Sequence, residues 1–259
     1  MKIATWNVNS LRVRLPHVLD WLGANHPDVL ALQETKLSDK QFPVEAFMAA
    51  GYQAVYSGQK TYNGVAILSR QPTRNVIHNV PGLQDDAQRR VLTATIADVR
   101  VLNVYVPNGA EVGSVKYAYK LGWLNKIAGY VREQLPRYEK FVMLGDFNVA
   151  PADMDVYDPK IWFEKILCST PEREAIKRLR ELGLVDLFRQ FEQAEKSFSW
   201  WDYRAAAFRR NLGLRIDIIL ASPALAAVCS ACRIDKTPRA LERPSDHAPV
   251  VAEFMAGAQ

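Results

Sequence analysis

Short apolar segments of strand length alternate along this chain with longer segments in which apolar residues recur at helical spacing. Strand patterns occupy KIATWNVN at residues 2–9, DVLALQET at 28–35 and FVMLG at 141–145. Two more, RVLTATI and RVLNVYVP, follow each other directly and predict a hairpin turned at residues 97–98. Because strands both interleave with helices and pair with their neighbours in sequence, we predict an α/β sandwich of mixed sheets with helices outside, and not a purely parallel doubly wound sheet.

Three helices are expected from capping residues and periodicity. The first begins after Ser10, its predicted N-cap. A long amphipathic helix follows the hairpin, and its inward face is expected to begin at Val115. The third has Thr170 as its predicted N-cap and ends at Gly183.

The composition fits one globular domain. The chain has 259 residues, of which 49% are hydrophobic, so it can bury a sizeable core. The sequence contains no linker, low-complexity tract or internal repeat, and we therefore expect a single domain over residues 1–259. The net charge of +5 indicates a mild preference for polyanions such as nucleic acid, which decides little on its own.

The sequence shows no targeting or membrane segment. The first ten residues lack the apolar core of a signal peptide, and the absence of a run of about 18 apolar residues argues against a membrane span. The odd count of three cysteines argues against a disulfide framework, and the lone CxxC of Cys229 and Cys232 lacks the second ligand pair that a zinc site needs. We expect a reduced, cytoplasmic protein.

Polar residues occupy positions within or directly after these strands, within the further strand pattern LRIDIILAS, or, in PSDHAPV, just before the last strand pattern, where apolar residues are favoured. The residues that share this placement are Asn7, Glu34, Tyr105, Asn108, Asp146, Asn148, Asp217, Asp246 and His247. Turn chemistry is the alternative for each of them taken singly, because Asp and Asn suit the turns that follow strands. Their common location indicates a site built at the ends of core strands.

Asp217 is the hardest of these residues to explain by a turn. It lies between Ile216 and Ile218, where an unpaired ionised carboxylate is strongly unfavourable, so it needs a partner. His247 is one of only four histidines, and a carboxylate that orients a histidine is a recurring catalytic arrangement. Arg215, on the same strand, is the alternative partner in a structural ion pair.

As a set, these residues predict metal-assisted hydrolysis of a phosphate ester. Hard oxygen ligands, which Mg²⁺ and Mn²⁺ prefer, are offered by Glu34, Asp146, Asn148 and Asp246. Donors to a phosphate are offered by Asn7, Tyr105, Asn148 and His247. Phosphodiester hydrolysis needs a barrier lowering of roughly 20 kcal/mol. A proton-transfer group such as Asp146 or His247 contributes only about 10²–10⁴-fold, so a metal and a ring of donors must contribute the rest.

Eight motifs spread from residue 2 to about residue 251 carry a family resemblance: KIATWNVNSLR, DVLALQETK, NGVAILSR, LNVYVPNG, LGDFNVAP, SFSWWDYR, LRIDIILAS and PSDHAPV. GDFN with SDH is typical of the endonuclease/exonuclease/phosphatase superfamily, which includes deoxyribonuclease I. WNVN, QETK, SWWDYR and LRID are typical of its exonuclease III branch of abasic-site (AP) endonucleases. The chain resembles that branch over essentially its whole length.

The resemblance implies a four-layered α/β sandwich, in which two packed mixed sheets lie between helices. It implies Mg²⁺-dependent cleavage of DNA 5′ to an abasic site, leaving a 3′-hydroxyl, with 3′–5′ exonuclease and 3′-phosphatase activities as companions. Mn²⁺ is the expected substitute metal. The expected partner is double-stranded DNA with abasic sites or blocked 3′ ends, and the chain is expected to be a monomer because no oligomerisation motif is visible.

The resemblance also implies roles for individual residues at the metal. Glu34 resembles the main metal ligand, with Asp246 near the ion. Asp146 resembles the residue that orients or deprotonates the attacking water. Asn148 and Asn7 resemble residues that hold this water, the metal site and the phosphate. The number of metals and the identity of the general base are left open.

On the substrate side, Tyr105 resembles a phosphate contact, and His247 with Asp217 resembles the pair that stabilises the developing charge. Trp200 matches an aromatic that lines the pocket for the extruded abasic sugar, although core packing is its alternative. The other expected pocket residues are Asn108 and Leu214, and Leu214 replaces a tryptophan of some relatives. Asn9 stands where some relatives carry an aspartate near the metal.

Basic residues near these motifs are candidates for contact with the DNA backbone. The candidates are Arg89, Arg90, Arg204, Arg209 and Arg210. Surface exposure without a role is the alternative for each of them. Four other functions stay open: a 3′-end-processing enzyme with weak AP endonuclease activity, a phosphatase of the same superfamily, an RNA-directed nuclease, and a non-catalytic DNA-binding module. The last is disfavoured because every expected metal ligand and the histidine are present.

Overall fold

A computed structural model, which describes residues 1–255, shows strands and helices interleaved along the chain. The described residues form fourteen strands: β1 (Lys2–Asn7), β2 (Val29–Gln33), β3 (Gln53–Ser57), β4 (Val65–Ser69), β5 (Thr73–Ile77), β6 (Val91–Ile96), β7 (Val99–Tyr105), β8 (Phe141–Asp146), β9 (Val185–Asp186), β10 (Trp200–Trp201), β11 (Gly213–Leu214), β12 (Asp217–Ala221), β13 (Cys229–Ile234) and β14 (Val250–Phe254). Their α-helices are α1 (Leu11–Asn25), α2 (Val44–Ala49), α3 (Val115–Gln134), α4 (Pro159–Trp162), α5 (Thr170–Glu181) and α6 (Pro223–Ala227).

The strands form two six-stranded mixed sheets and a short ribbon of β10 and β11. The first sheet has the order β13-β14-β1-β2-β4-β3, and the second has the order β5-β6-β7-β8-β12-β9. Each sheet contains one parallel pair, β1 with β2 and β7 with β8. Parallel neighbours need a long crossover connection, and α1 and α3 provide these two crossovers. Each sheet is therefore organised around one βαβ unit.

Three apolar clusters arrange the elements in four layers. One fills the space between the two sheets and includes Ile3, Ile67, Val101, Leu144 and Ile219. The outer face of the first sheet is covered by α1 and α2, and that of the second sheet by α3 and α5. The predicted four-layered α/β sandwich is confirmed. The single-domain organisation over residues 1–259 stays a prediction. Within residues 1–255, every helix is too short or too polar to cross a membrane.

A buried polar contact joins the two sheets. Gln33 of β2 donates from its Nε2 to Thr5 Oγ1 at 2.9 Å and, across the sandwich, to Asn103 Oδ1 of β7 at 2.7 Å. The Nδ2 of Asn103 donates in return to the carbonyl of Leu32 at 3.0 Å. Most buried polar groups are hydrogen-bonded; the exception in this contact is Gln33 Oε1, which has no partner among the described residues. This contact fixes how the two βαβ units are aligned.

The start of α5 differs from the expectation. Its N-cap is Ser169 and not Thr170, because the carboxylate of Glu172 accepts from the Ser169 backbone N–H at 3.1 Å and from its Oγ at 2.6 Å. A Ser followed three residues later by Glu is a capping box. The predicted cap was therefore wrong by one residue.

The first turns of α1 and α3 also differ from the expectation. Ser10 makes no side-chain capping bond; its backbone N–H instead donates to the carbonyl of Glu34 at 2.8 Å, which attaches α1 to the turn after β2. Val115 does not point inward, since it is 88% exposed. The inward face of α3 begins at Tyr117, whose backbone N–H is capped by Ser114.

Candidate active site

The carboxyl ends of the two parallel strand pairs meet at one edge of the sandwich. Asn7 is the last residue of β1 and Glu34 directly follows β2, while Tyr105 and Asp146 end β7 and β8. Asp217 of β12 lies opposite Asp146 in the antiparallel register. Sites in α/β folds form outside the carboxyl ends of strands. Five of the polar residues singled out from the sequence are therefore brought to one place.

Asp146 is buried at the centre of this edge. Its Oδ1 accepts from the backbone N–H of Asn148 at 2.9 Å, and its Oδ2 accepts from Asn7 Nδ2 at 2.8 Å. The preceding residue, Gly145, has a φ of +147°, and a Cβ there would lie 1.9 Å from the Val104 carbonyl oxygen. Only glycine fits this position, and the close approach of β8 to β7 sets where Asp146 begins its turn.

Asn7 links an acid from each sheet. Its Nδ2 donates to Glu34 Oε1 at 2.9 Å and to Asp146 Oδ2 at 2.8 Å. Its Oδ1 accepts from the backbone N–H of Asn9 at 2.9 Å. Both hydrogens of the amide are used, so Asn7 holds the two carboxylates side by side and offsets their repulsion.

His247 is the partner of Asp217. Its Nδ1 lies 2.9 Å from Asp217 Oδ2, and both residues are buried. Arg215, the alternative partner, binds elsewhere: its Nε donates to Asp155 Oδ1 at 2.6 Å and its Nη2 to Asp186 Oδ2 at 2.8 Å. Asp217 is therefore free to orient the histidine, and Arg215 belongs to a separate buried ion-pair network.

Burial and neighbouring charges give His247 and Asp146 different pKa values, so that one can act as an acid and the other as a base. Burial alone would lower the pKa of His247, but the charges of Asp217 and Asp146 raise it to about 10. Burial, together with the charge of Asp217, raises the pKa of Asp146 to about 7, although His247 acts in the opposite direction. His247 Nε2 lies 3.8 Å from Asp146 Oδ2. A cationic imidazolium thus faces a carboxylate whose pKa suits proton transfer near neutral pH.

Tyr105 remains a hydrogen-bond donor in this setting. Burial and the neighbouring carboxylates of Glu34 and Asp146 raise the pKa of its hydroxyl well above 10. The guanidinium of Arg90 lies 4.4 Å from the centre of the Tyr105 ring, and its Nη1 donates to the Tyr105 carbonyl at 3.2 Å. This cation–π contact places Arg90, one of the proposed DNA contacts, directly beside the site.

Of the three expected pocket residues, two reach the surface. Trp200 is partly exposed, and its Nε1 donates to Asp246 Oδ2 at 3.0 Å. Asn108 is exposed, and its Nδ2 lies 3.4 Å from Asn148 Oδ1. Leu214 pairs with Trp200 in the short ribbon but is fully buried beneath it. Leu214 can therefore shape a pocket only through Trp200.

The remaining arginines differ in their surroundings. Arg89 is half-buried. Arg204 is exposed but paired with Asp202, whose Oδ2 lies 2.7 Å from Arg204 Nη2. Arg209 and Arg210 are exposed, and neither of them forms a salt bridge among the described residues. These last two combine exposure with the absence of an acidic partner within residues 1–255, whereas Arg89 is only half-exposed and Arg204 is paired.

A family model described as the endonuclease/exonuclease/phosphatase family matches residues 4–247. The chain belongs to this family. It is 37% identical to the exodeoxyribonuclease III of Haemophilus influenzae, over 98% of this chain and 100% of the relative. The predicted exonuclease III relationship is confirmed.

Two solved structures are similar to this chain over almost its whole length. The 3′ phosphatase NExo from Neisseria, bound to a product DNA hairpin, has a TM-score of 0.97 and 53% identity, covering 99% of this chain and 100% of its own. An AP endonuclease from Archaeoglobus fulgidus has a TM-score of 0.94 and 41% identity, with the same coverage of 99% and 100%.

The family is metal-dependent, and the acidic cluster of this chain fits a divalent cation. Glu34, Asp146 and His247 each offer a ligand atom within 4.8 Å of the others. Oxygen donors suit hard cations, so the carboxylates of Glu34 and Asp146 are the members of this cluster that fit Mg²⁺. The ammonium of Lys36 lies 2.9 Å from Glu34 Oε2, so this carboxylate already attracts positive charge. Asp246 lies outside this cluster of three.

Two serines of the family motifs support the site and were missed from the sequence. Ser199 in SFSWW donates from its Oγ to Asp217 Oδ2 at 2.7 Å. Ser245 in PSDH donates to the carbonyl of Asn7 at 2.7 Å and accepts from the backbone N–H of His247 at 3.2 Å. Their position within motifs was the available signal, but a serine beside a strand is too common to single out.

Proposed function

We propose that this chain hydrolyses the bond between phosphorus and the 3′ oxygen of deoxyribose in duplex DNA, with Mg²⁺ as cofactor. The names of its relatives bear out a DNA repair nuclease with exonuclease and phosphatase activities. Incision 5′ to an abasic site, removal of a 3′ nucleotide and removal of a 3′ phosphate all break this bond and leave a 3′-hydroxyl. One site can therefore perform all three reactions, and abasic incision is the proposed main one.

The observation that carries the proposal is the placement of His247, whose Nδ1 lies 2.9 Å from Asp217 Oδ2 and whose Nε2 lies 3.8 Å from Asp146 Oδ2. Asp146 accepts the proton of the attacking water. His247 places positive charge where negative charge develops on the phosphate. Mg²⁺ bound at Glu34 and Asp146 would supply a Lewis acid that polarises a phosphate oxygen.

Neutral donors around this pair complete the phosphate site. The hydroxyl of Tyr105 stays protonated and can donate to a phosphate oxygen. Asn148 Nδ2 donates to the Val106 carbonyl at 3.0 Å and to Asp146 Oδ2 at 3.3 Å. Asn108 Nδ2 lies 3.4 Å from Asn148 Oδ1, so its second hydrogen is the amide hydrogen that can reach a phosphate. Preorganised donors of this kind are effective because they need no reorganisation when charge develops.

A second candidate is 3′-end processing with weak abasic incision. It is favoured by the 53% identity to a protein named a 3′ phosphatase, against 41% to one named an AP endonuclease. The main proposal is favoured by the partly exposed Trp200, which can line a pocket for a small abasic sugar. Abasic sites also unstack at low cost, which favours extrusion.

Three labelled duplexes separate the two candidates. One carries an internal abasic analogue, one a nick ending in a 3′ phosphate, and one a recessed 3′-hydroxyl end. Each is incubated with Mg²⁺, with Mn²⁺ or with EDTA, and Asp146→Asn serves as the control for contaminating nucleases. Fastest incision on the 5′ side of the analogue supports the main proposal. Fast removal of the 3′ phosphate without incision supports the second candidate, and no reaction on any duplex contradicts both.

Glu34→Gln is expected to raise the Mg²⁺ concentration for half-maximal activity by about 10- to 100-fold, a range typical of weakened metal sites. The change keeps the shape and the contact with Asn7 but removes a negative charge. The measurement is activity against Mg²⁺ concentration, with the exposed Glu181→Gln as the matched control. An unchanged titration would exclude Glu34 as a ligand.

Arg209→Ala combined with Arg210→Ala is expected to make the dependence of log K on log salt shallower by about 2, because each arginine that neutralises a phosphate contributes about one unit to this slope. The measurement is binding of an uncleaved duplex in EDTA across a salt series. The matched control is Arg132→Ala with Arg137→Ala, two exposed arginines near the C-terminal end of α3. Equal slopes for both pairs would leave Arg209 and Arg210 without a role.

Cytoplasmic location and a monomeric state stay predictions.

A further inference from the structure

Lys120 is a fully buried lysine next to the site. It lies on α3 with no exposed side-chain surface, which is rare for this residue type. Its Nζ donates to the carbonyl of Asn148 at 2.7 Å, to the carbonyl of Asn108 at 3.0 Å and to the carboxylate of Glu172. All three hydrogens of the ammonium are used, so its position is fully determined.

Glu172 completes the arrangement from α5. It is also fully buried, and besides Lys120 it accepts from the backbone N–H of Leu167 at 3.1 Å and from that of Ser169 at 3.1 Å. Burial lowers the pKa of Lys120, and the charge of Glu172 acts against this effect. The pair therefore anchors two outer helices to the turns that follow β7 and β8.

The turns that follow β7 and β8 both contact Lys120. Gly109 has a φ of +93°, and a Cβ there would lie 3.0 Å from Lys120 Cδ. Asn148 has a φ of +47°, in the left-handed region. Backbone in such conformations persists only where its surroundings hold it. The two turns come from different strands, and the ammonium is a direct link between their carbonyls.

Packing alone does not explain a charged pair here. Well-packed apolar residues of similar volume are often as stable as a buried ion pair or more stable. What the ammonium adds is a fixed separation between two carbonyls, and hence between the side chains of Asn108 and Asn148.

We propose that Lys120 is a positioning residue: its ammonium holds the Asn108 and Asn148 turns in register, so that the Asn148 amide stays on Asp146 Oδ2 and the Asn108 amide stays beside it, facing the phosphate. The inference rests on the proposed function, since that function supplies the phosphate. Small displacements at such a site reduce the reaction rate strongly, because a shift of about 1 Å can lower a rate by about 10²-fold.

The test uses the double variant K120M/E172Q. Lys120→Met alone would leave the Glu172 charge buried without a partner and destabilise the fold, whereas the double variant removes both charges. Its thermal midpoint is expected to fall, because the amide of Glu172→Gln places an NH2 group where the carboxylate accepts from the backbone N–H of Leu167 or of Ser169. The rate is therefore measured at a temperature at which circular dichroism shows the variant to be folded. Its expected single-turnover rate on the 3′-phosphate nick is about 100-fold lower, with little change in KM. The exposed pair Lys177 and Glu174 provides the matched control, K177M/E174Q, whose rate is expected to be unchanged.

A double-mutant cycle with Asn148→Ala separates positioning from a general effect. If Lys120 acts through the asparagine turns, K120M/E172Q should lower the rate of the Asn148→Ala enzyme by no more than about threefold, because interacting residues are not additive. A second loss of about 100-fold in that background would overturn the proposal, as would a wild-type rate in K120M/E172Q itself.

Hydrogen exchange gives a readout that does not depend on activity. In K120M/E172Q the amides of residues 106–113 and 147–151 are expected to exchange at least about tenfold faster, while those of the sheets keep their protection. Unchanged exchange in both segments would overturn the proposal even if no substrate had been found. Failure of the wild type on every duplex would instead contradict the proposed function.

Discussion

Asp146→Asn is expected to lower the single-turnover rate on every cleavable duplex by about 10³- to 10⁴-fold, the range of a lost proton-transfer group. The asparagine has the same shape but cannot accept the proton of the attacking water, and it carries one charge fewer toward the cation. DNA affinity should be nearly unchanged, because the residue is buried among protein groups.

The measurement is the rate at saturating enzyme, with the affinity determined separately in EDTA. Asp20→Asn, an exposed aspartate on α1, makes the same chemical change away from the site and should behave as the wild type. A rate within tenfold of the wild type in Asp146→Asn would remove this residue from the chemistry.

Asp146→Asn is expected to lower the rate, but also to stabilise the folded state above neutral pH. The pKa of Asp146 is raised to about 7 in the folded state, above its value of about 3.9 in an unfolded chain. The folded state then binds the extra proton, so the wild type loses stability as pH rises between these values. In EDTA, the thermal midpoint of Asp146→Asn relative to the wild type should therefore be higher at pH 8 than at pH 5. A difference independent of pH would contradict the raised pKa.

His247→Gln is the second large effect, with an expected loss of about 10³-fold in rate. Glutamine can still donate a hydrogen bond, but it carries no positive charge to stabilise the developing negative charge. Asp217→Asn should give a smaller loss, since the imidazole remains but is less strongly held protonated.

The order of these two effects is what tests the pair. His78→Gln, at an exposed histidine, is the matched control and should leave the rate unchanged. Suppose that Asp217→Asn lowers the rate as much as His247→Gln does, although the imidazole keeps its orientation. The contribution of His247 to the rate would then come entirely from its positive charge. If His247→Gln were silent, the proposed acid–base separation would be wrong.

The layered fold was predictable because its signals are local. Alternation marked the strands, and the hairpin at residues 97–98 was confirmed as the turn between β6 and β7. Helix ends were less accurate. The cap at Ser169 depended on Glu172 three residues ahead, which was visible as a capping box but not used. Val115 follows the apolar periodicity of α3, yet it is the first residue of the helix and is 88% exposed.

The chemical groups of the site were visible for a similar reason. A carboxylate or amide at the end of a core strand contradicts local propensity, and Asp146 and Asp217 were found in this way. Supporting residues give no such signal. Lys120 has an ordinary place in a helical pattern, and its role arises only because the turn at Asn148, 28 positions further along the chain, folds against it. Arg90 likewise acquires its position through Tyr105.

The pairing of β1 with β14 affects the stage of folding at which the enzyme becomes active. Thr5 lies opposite Val250 in this pair, and Ser245 bonds to the carbonyl of Asn7 across 238 positions of sequence. Contacts so distant in sequence form late and slowly, since long loops must close first. A molecule that has not yet docked β14 lacks a fixed His247. Partly folded chains should therefore be catalytically silent, and during refolding the return of activity should coincide with the slowest structural phase.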